Sequence, residues 1–169
     1  MTAKRVLVCA PRFPEFDRES GSRRVFHLIE YLEEAGWTVC FIAQDATNSE
    51  RYIRLLQQRG VETVVGFGSQ TDQLIAARRF DVAILAFWHL AQKCIPVLRQ
   101  ISPNTRVIVD MIDLHFLREA RRILHRRNGD SRHNTLDSKY GSDLIGELNA
   151  YAMADAVLAV SKKEADLVN

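Results

Sequence analysis

The chain has 169 residues, 47% of them hydrophobic and 26% charged, with a formal net charge of +2. That length suits one domain with its own core rather than two independent ones, and the composition excludes disordered and collagen-like classes. The charge gives no general attraction to nucleic acid. No apolar run approaches the ~20 residues that span a bilayer, and the opening MTAKRVLVCAPRFP is too short in apolar residues for a secretory signal, so a cytoplasmic location is expected.

Six short apolar runs, rich in valine and isoleucine, recur along the chain. They are RVLVCA (5–10), TVCFIA (38–43), VETVVG (61–66), DVAILAF (81–87), RVIVDMI (106–112) and DAVLAV (155–160). Near-continuous apolar strands, as opposed to alternating ones, are what a parallel sheet covered on both faces requires. Between the first two runs, SRRVFHLIEYLEEAG places Val25, Leu28, Ile29 and Leu32 on one helical face and stops on Gly36. NSERYIRLLQQRG repeats the scheme with Gly60, GFGSQTDQLIAARRF holds a short helix, and LAQKCIPVLRQISP is a further helix with Pro96 inside and Pro103 at its end. After the fifth run a helix extends to about Arg127, NGDSRHNTLDSKYG (128–141) reads as a polar loop, and Ser161 caps a last helical pattern that suggests a longer natural polypeptide. Strand, helix, strand at this spacing predicts a doubly wound α/β domain with a mostly parallel sheet of about six strands and helices on both faces.

Cys9, Cys40 and Cys94 are far apart, odd in number and without metal-ligand spacing, so reduced core cysteines and no metal site are expected.

In an open parallel sheet, ligands gather where strands end and loops enter the next helix. The first such loop, within 11–22, has neither the dinucleotide-binding nor the phosphate-loop glycine pattern. It does carry Gly21 and Ser22 at a helix start, where unpaired N–H groups favour an anion, with Arg23 and Arg24 adding charge; the alternative is a capping serine with solvated arginines. His89 ends the fourth run as a ligand contact or as a half-buried cap. Asp110, Asp113 and His115 cluster after the fifth, suited to binding sugar hydroxyls or shuttling protons, although Asp113 could instead cap the helix that follows. That helix displays Arg118, Arg121, Arg122 and His125 on a shared side. Six arginines against two acids between Arg118 and His133 make this the basic segment, either a face for anionic lipid or a phosphorylated substrate, or a solvated surface.

The opening RVLVCAPRFP, the stretch SGSRRVFHLIEYLEEAGWTVCFIA, the strand FDVAILAF, the segment RVIVDMIDLHFLREAR and the closing ADAVLAVSKKEADLV come in an order that resembles the N-terminal, Rossmann-like domain of GT-B glycosyltransferases of the retaining family-4 (group 1) type. The resemblance covers nearly the whole chain. It implies transfer of a sugar from a nucleotide-sugar donor to a saccharide or lipid-linked acceptor, without metal or other cofactor. It assigns Gly21 and Ser22 to the donor diphosphate with Arg23 and Arg24 as supports, while His89 and Asp110, by their places at strand ends, are the candidates for contact with the acceptor or the sugar. Ile112 stands where the family places a histidine, which leaves Asp113 and His115 as candidates for the catalytic contact. The family's C-terminal, donor-binding domain is absent from residues 1–169, so the chain alone is expected to be inactive and its first loop disordered. Peripheral contact with the inner face of an anionic membrane is a further expectation, through Arg118, Arg121 and Arg122. The alternatives are a non-catalytic flavodoxin-like ligand- or partner-binding domain and an interaction domain that docks through the basic face.

Overall fold

A computed structural model of the chain describes residues 4–126 and 138–168. The apolar runs form strands β1 (Arg5–Arg12), β2 (Thr38–Asp45), β3 (Glu62–Val65), β4 (Val82–Ala86), β5 (Arg106–Asp110) and β6 (Ala156–Leu158). The segments between them form helices α1 (Ser20–Glu34), α2 (Glu50–Gln58), α3 (Ser69–Arg78), α4 (Trp88–Ile101), α5 (His115–Arg126), α6 (Ser138–Ala152) and α7 (Lys162–Val168). Every strand pairing is parallel, in the order β3-β2-β1-β4-β5-β6. The chain winds outward from β1 to β3, crosses back to β4, and winds outward again to β6. The order therefore reverses between β1 and β4, where an open sheet of this kind leaves a crevice.

Alternation along β1 fills two cores at once. Val6, Val8 and Ala10 pack with α1 and α2, contributing Val25, Ile29 and Leu56 among others, on one face. Leu7 and Cys9 face the other, with Ile75 of α3, Ile95 and Leu98 of α4 and Ala150 of α6. Side chains two apart share a face, so a strand buried on both faces must be apolar throughout. Both of the first two helices stop on glycines with left-handed backbones, Gly36 (φ 79°) and Gly60 (φ 86°), a conformation that costs side-chain-bearing residues energy. Cys9 and Cys40 are buried, Cys94 is half-buried, and all three are free thiols.

Three expectations change. The polar loop read over 128–141 extends too far, because residues 138–141 begin α6; residues 127–137 lie outside the described ones. α1 starts at Ser20, with Glu19 at its N-cap position, rather than on Ser22. The β1–α1 loop is not left loose but anchored by aromatic side chains. Phe13 is buried against Phe41, with ring centroids 5.3 Å apart, and Phe16 packs on Phe26 at 4.4 Å. Asp17 accepts hydrogen bonds from the Tyr52 hydroxyl (2.6 Å) and from Arg51 (2.8 Å). The aromatic residues inside PRFPEFD supply the burial that their polar neighbours conceal. Ser161 does cap α7, its Oγ accepting the Glu164 N–H at 3.3 Å.

Among the described residues no helix is long and apolar enough to cross a membrane.

Candidate functional site at the β1–β4 crevice

Two residues at the ends of the neighbouring strands β4 and β5 have backbones in a region that bulky side chains avoid. Phe87 has φ 73° and ψ 136°, and Ile112 has φ 60°. For a β-branched residue such a φ is a true outlier, costing on the order of 1–3 kcal/mol unless its surroundings hold it. Here they do. The Phe87 N–H donates to the Asp110 carbonyl (3.0 Å), and Asp113 N–H donates to the Met111 carbonyl (2.6 Å). The Ile112 N–H reaches the Asp110 carboxylate at 3.4 Å.

Against these two residues sits Gly21, in the first turn of α1. A β-carbon there would lie 3.0 Å from Ile112 Cγ2 and 3.8 Å from Phe87 Cζ. Glycine is needed for close approach, since its φ is not the unusual one. No side chain caps this helix end, and the first intrahelical bond runs from the Arg23 N–H to the Glu19 carbonyl (2.9 Å). The N–H groups of Ser20, Gly21 and Ser22 precede that bond and carry the positive end of the helix dipole. The Ser22 hydroxyl turns to Glu19 Oε2 at 3.4 Å.

Both arginines that follow have partners within the fold. Arg23 Nε donates to the Phe16 carbonyl at 3.1 Å and so braces the loop. Arg24 Nε lies 3.0 Å from each carboxylate oxygen of Asp110, which is only 1% exposed. Asp110 therefore ties α1 to the end of β5, and neither it nor Arg24 is presented to the crevice as a free group.

On the other wall, Asp113, His115 and Arg118 form a compact set. Asp113 Oδ2 accepts from Arg118 Nη1 at 2.6 Å, and Arg118 Nη2 lies 3.3 Å from His115 Nδ1. A guanidinium only donates, so Nδ1 is the accepting nitrogen and the imidazole proton is assigned to Nε2. That nitrogen lies 3.0 Å from Asp113 Oδ1. The approach is too poorly directed for a hydrogen bond, and both atoms are buried without one. His89, in the first turn of α4, stacks near His115 with ring centroids 6.2 Å apart, and Phe87 lies within 6 Å of both rings. Burial first, then the positive charge of His115 and of Lys93, holds His89 below its ordinary pKa of 6.5. The adjacent Trp88 contributes another buried atom without a hydrogen bond, its indole Nε1.

Asp113 does not cap α5. The cap comes from Glu147 of α6, buried to 1% exposure, whose two oxygens accept the N–H groups of His115 (2.9 Å) and Phe116 (2.8 Å). The Tyr151 hydroxyl donates to the same carboxylate at 2.7 Å, and burial followed by this bond pushes the phenol well above its ordinary pKa. A carboxylate on a helix N-terminus is favoured by both the unpaired N–H groups and the dipole. Sequence reasoning misses Glu147, although it leaves a trace there: an acid on the apolar stripe that continues through Ala150 and Tyr151.

Of the three arginines expected to form the basic face, Arg118 folds back onto Asp113 and His115, Arg122 pairs with Glu119 at 2.6 Å, and Arg121 is exposed at the surface. The crevice therefore brings together Gly21, Ser22, His89, Asp113 and His115. Arg23, Arg24 and Asp110 are committed to structure beneath it, and Arg121 and Arg122 lie further along α5.

Compared with known proteins, the chain matches no family model and no curated sequence.

Proposed function

We propose that the chain is the acceptor-side domain of a nucleotide-sugar glycosyltransferase, moving a sugar from a nucleotide-sugar donor to a saccharide or lipid-linked acceptor. The observation that carries this reading is the pressed contact of Gly21 with Ile112 and Phe87 at the topological switch point. Strained backbone collects where a ligand must be met closely, and here it adjoins an uncapped helix N-terminus suited to a phosphate group.

In this reading the N–H groups of Gly21 and Ser22 receive the donor diphosphate, and Arg24 acts through Asp110 by holding the β5 turn in place. His115 and Asp113 face the transferred sugar, with His115 Nε2 and Asp113 Oδ1 both without a hydrogen-bond partner in the fold. His89, whose pKa burial holds below its ordinary value, supports them as a neighbouring ring. Retaining transfer builds positive charge on the sugar and negative charge on the leaving diphosphate, and offsetting the latter is the largest electrostatic task. With Arg23 and Arg24 already committed to Phe16 and Asp110, this chain is poorly equipped for that task. A second Rossmann-like domain would supply the remaining cations, so the chain alone should not turn over.

Amide NMR of the chain titrated with uridine, guanosine and adenosine diphosphates tests the reading. Shifts centred on Ser20–Ser22 and on Met111–His115 support it. Shifts that avoid both segments refute it, as would efficient sugar transfer by this chain in isolation.

A further inference from the structure

A cavity of about 320 Å³ opens between α3 and α4. That volume lies at the lower end of the roughly 300–1,000 Å³ of small-molecule sites. Leu7 and Cys9 of β1 form the floor, Ile75 and Leu90 stand on the walls, and Asp72 and Lys93 stand at the mouth. The opening has a physical origin in the sequence. α3 buries only Thr71 and Ile75, whereas α1 sends Val25, Phe26 and Ile29 inward. α4 in turn offers the small Cys94 to this lining. Well-packed interiors leave few voids larger than a water molecule, so an apolar space of this size is a departure that a bound group would remedy.

The mouth indicates the chemistry. Phe67, 37% exposed, stands there between Gly66 and Gly68, at neither of which a β-carbon would meet anything within 4 Å. Lys93 is in no ion pair among the described residues, while the negative charge of Asp72 sits in the first turn of α3, where the uncapped helix end offsets it. The interior carries no charge: burial raises the Cys9 thiol and pushes Cys94 up to about 11, so both are neutral. We infer that this cavity binds a small amphipathic monoanion, an aryl or short-chain carboxylate, with its apolar body over Leu7 and Cys9 and its carboxylate at Lys93. Its lining shares no residue with Gly21, Ser22, His89, Asp113 and His115 of the crevice, and the inference does not depend on the glycosyltransferase reading.

Amide NMR of the whole chain with hexanoate, and with hexan-1-ol and hexylammonium as charge controls, tests the inference. Hexanoate should shift Gly66–Gly68 and Lys93–Leu98 at millimolar concentration. Lys93→Gln should weaken hexanoate several-fold and leave hexan-1-ol unchanged, while Cys94→Phe and Ile75→Phe should each abolish both by filling the space. Absence of shifts with every probe, or shifts that survive a filled variant that folds, overturns the cavity. Hexylammonium binding as well as hexanoate overturns the anion. Should neither filled variant fold, protection of Cys94 from N-ethylmaleimide by hexanoate in the unsubstituted chain decides: protection supports the site and unaltered labelling overturns it.

Discussion

Glu147 on α6 accepts the backbone N–H of His115 at the start of α5 at 2.9 Å, so a carboxylate 32 residues further along the chain fixes where a candidate catalytic ring begins. Its second oxygen serves Phe116. Glutamine offers one accepting oxygen and turns its NH₂ toward the other N–H. Glu147→Gln is therefore expected to destabilise the fold by about 1–3 kcal/mol, the cost of an unsatisfied buried donor. Urea denaturation with an unchanged slope measures it; a variant as stable as the parent would mean that these N–H groups find water instead.

Gly21 and Ile112 should behave as a coupled pair. Gly21→Ala puts a methyl group 3.0 Å from Ile112 Cγ2, on a residue whose backbone is already strained. Ile112→Gly relieves that strain and removes the obstacle together. Alanine at position 21 should thus cost stability in the parent and be neutral or favourable in the Ile112→Gly background, with a coupling of about 1 kcal/mol for residues in contact. Additive effects would show that the two do not press on one another.

His89 predicts an acid-sensitive term in stability. Its folded pKa is depressed, chiefly by burial, so between that value and the unfolded value of 6.5 the unfolded chain binds more protons than the folded one. Stability is fully present above the unfolded value, declines as pH falls toward the folded pKa, and levels off below it. His89→Gln should flatten this slope, as read by thermal melts across the acid range.

The β1–α1 loop offers a further test. The Tyr52 hydroxyl is the first cause holding the Asp17 carboxyl below its ordinary range, ahead of Arg51. The tie is present above the unfolded carboxylate pKa and is lost as pH falls through the folded one. Tyr52→Phe should raise the Asp17 pKa and speed amide exchange over residues 15–19 while α2 keeps its protection. Unaltered exchange in that loop would argue that Phe13 and Phe16 hold it alone.

The strands and the first two helices are legible in the sequence because their signals are local: unbroken β-branched runs, one apolar stripe each, and Gly36 and Gly60 just past the helix ends. α6 is not, because its sequence SKYGSDLIGELNAYA breaks its stripe with two glycines. Gly146 is there for Trp88, whose ring would lie 2.9 Å from a β-carbon, and no reading of α6 by itself reveals a tryptophan so far back along the chain. The same holds within the site. Gly21 stands out as a helix-start glycine, but its reason, close approach to Ile112 and Phe87, is tertiary. Arg24 and Asp110 each read as ligand contacts, and their pairing across 86 residues uses both. Charged residues at strand ends are candidates for function until the fold shows which of them bind each other.

The strand order has a consequence for how the molecule is made. β1 is completed first during synthesis, yet it is an inner strand with partners on both sides, β2 on one and β4 on the other. Its β2-facing side can be satisfied once residue 45 has emerged, whereas its β4-facing side waits for residues 82–85. Until then an almost wholly apolar strand presents one row of open N–H and C=O groups, the kind of template on which another nascent chain can add. Folding speed should accordingly be limited by this single long-range closure, and substitutions that slow the joining of β4 to β1 should lower soluble yield more than they lower the stability of the finished protein.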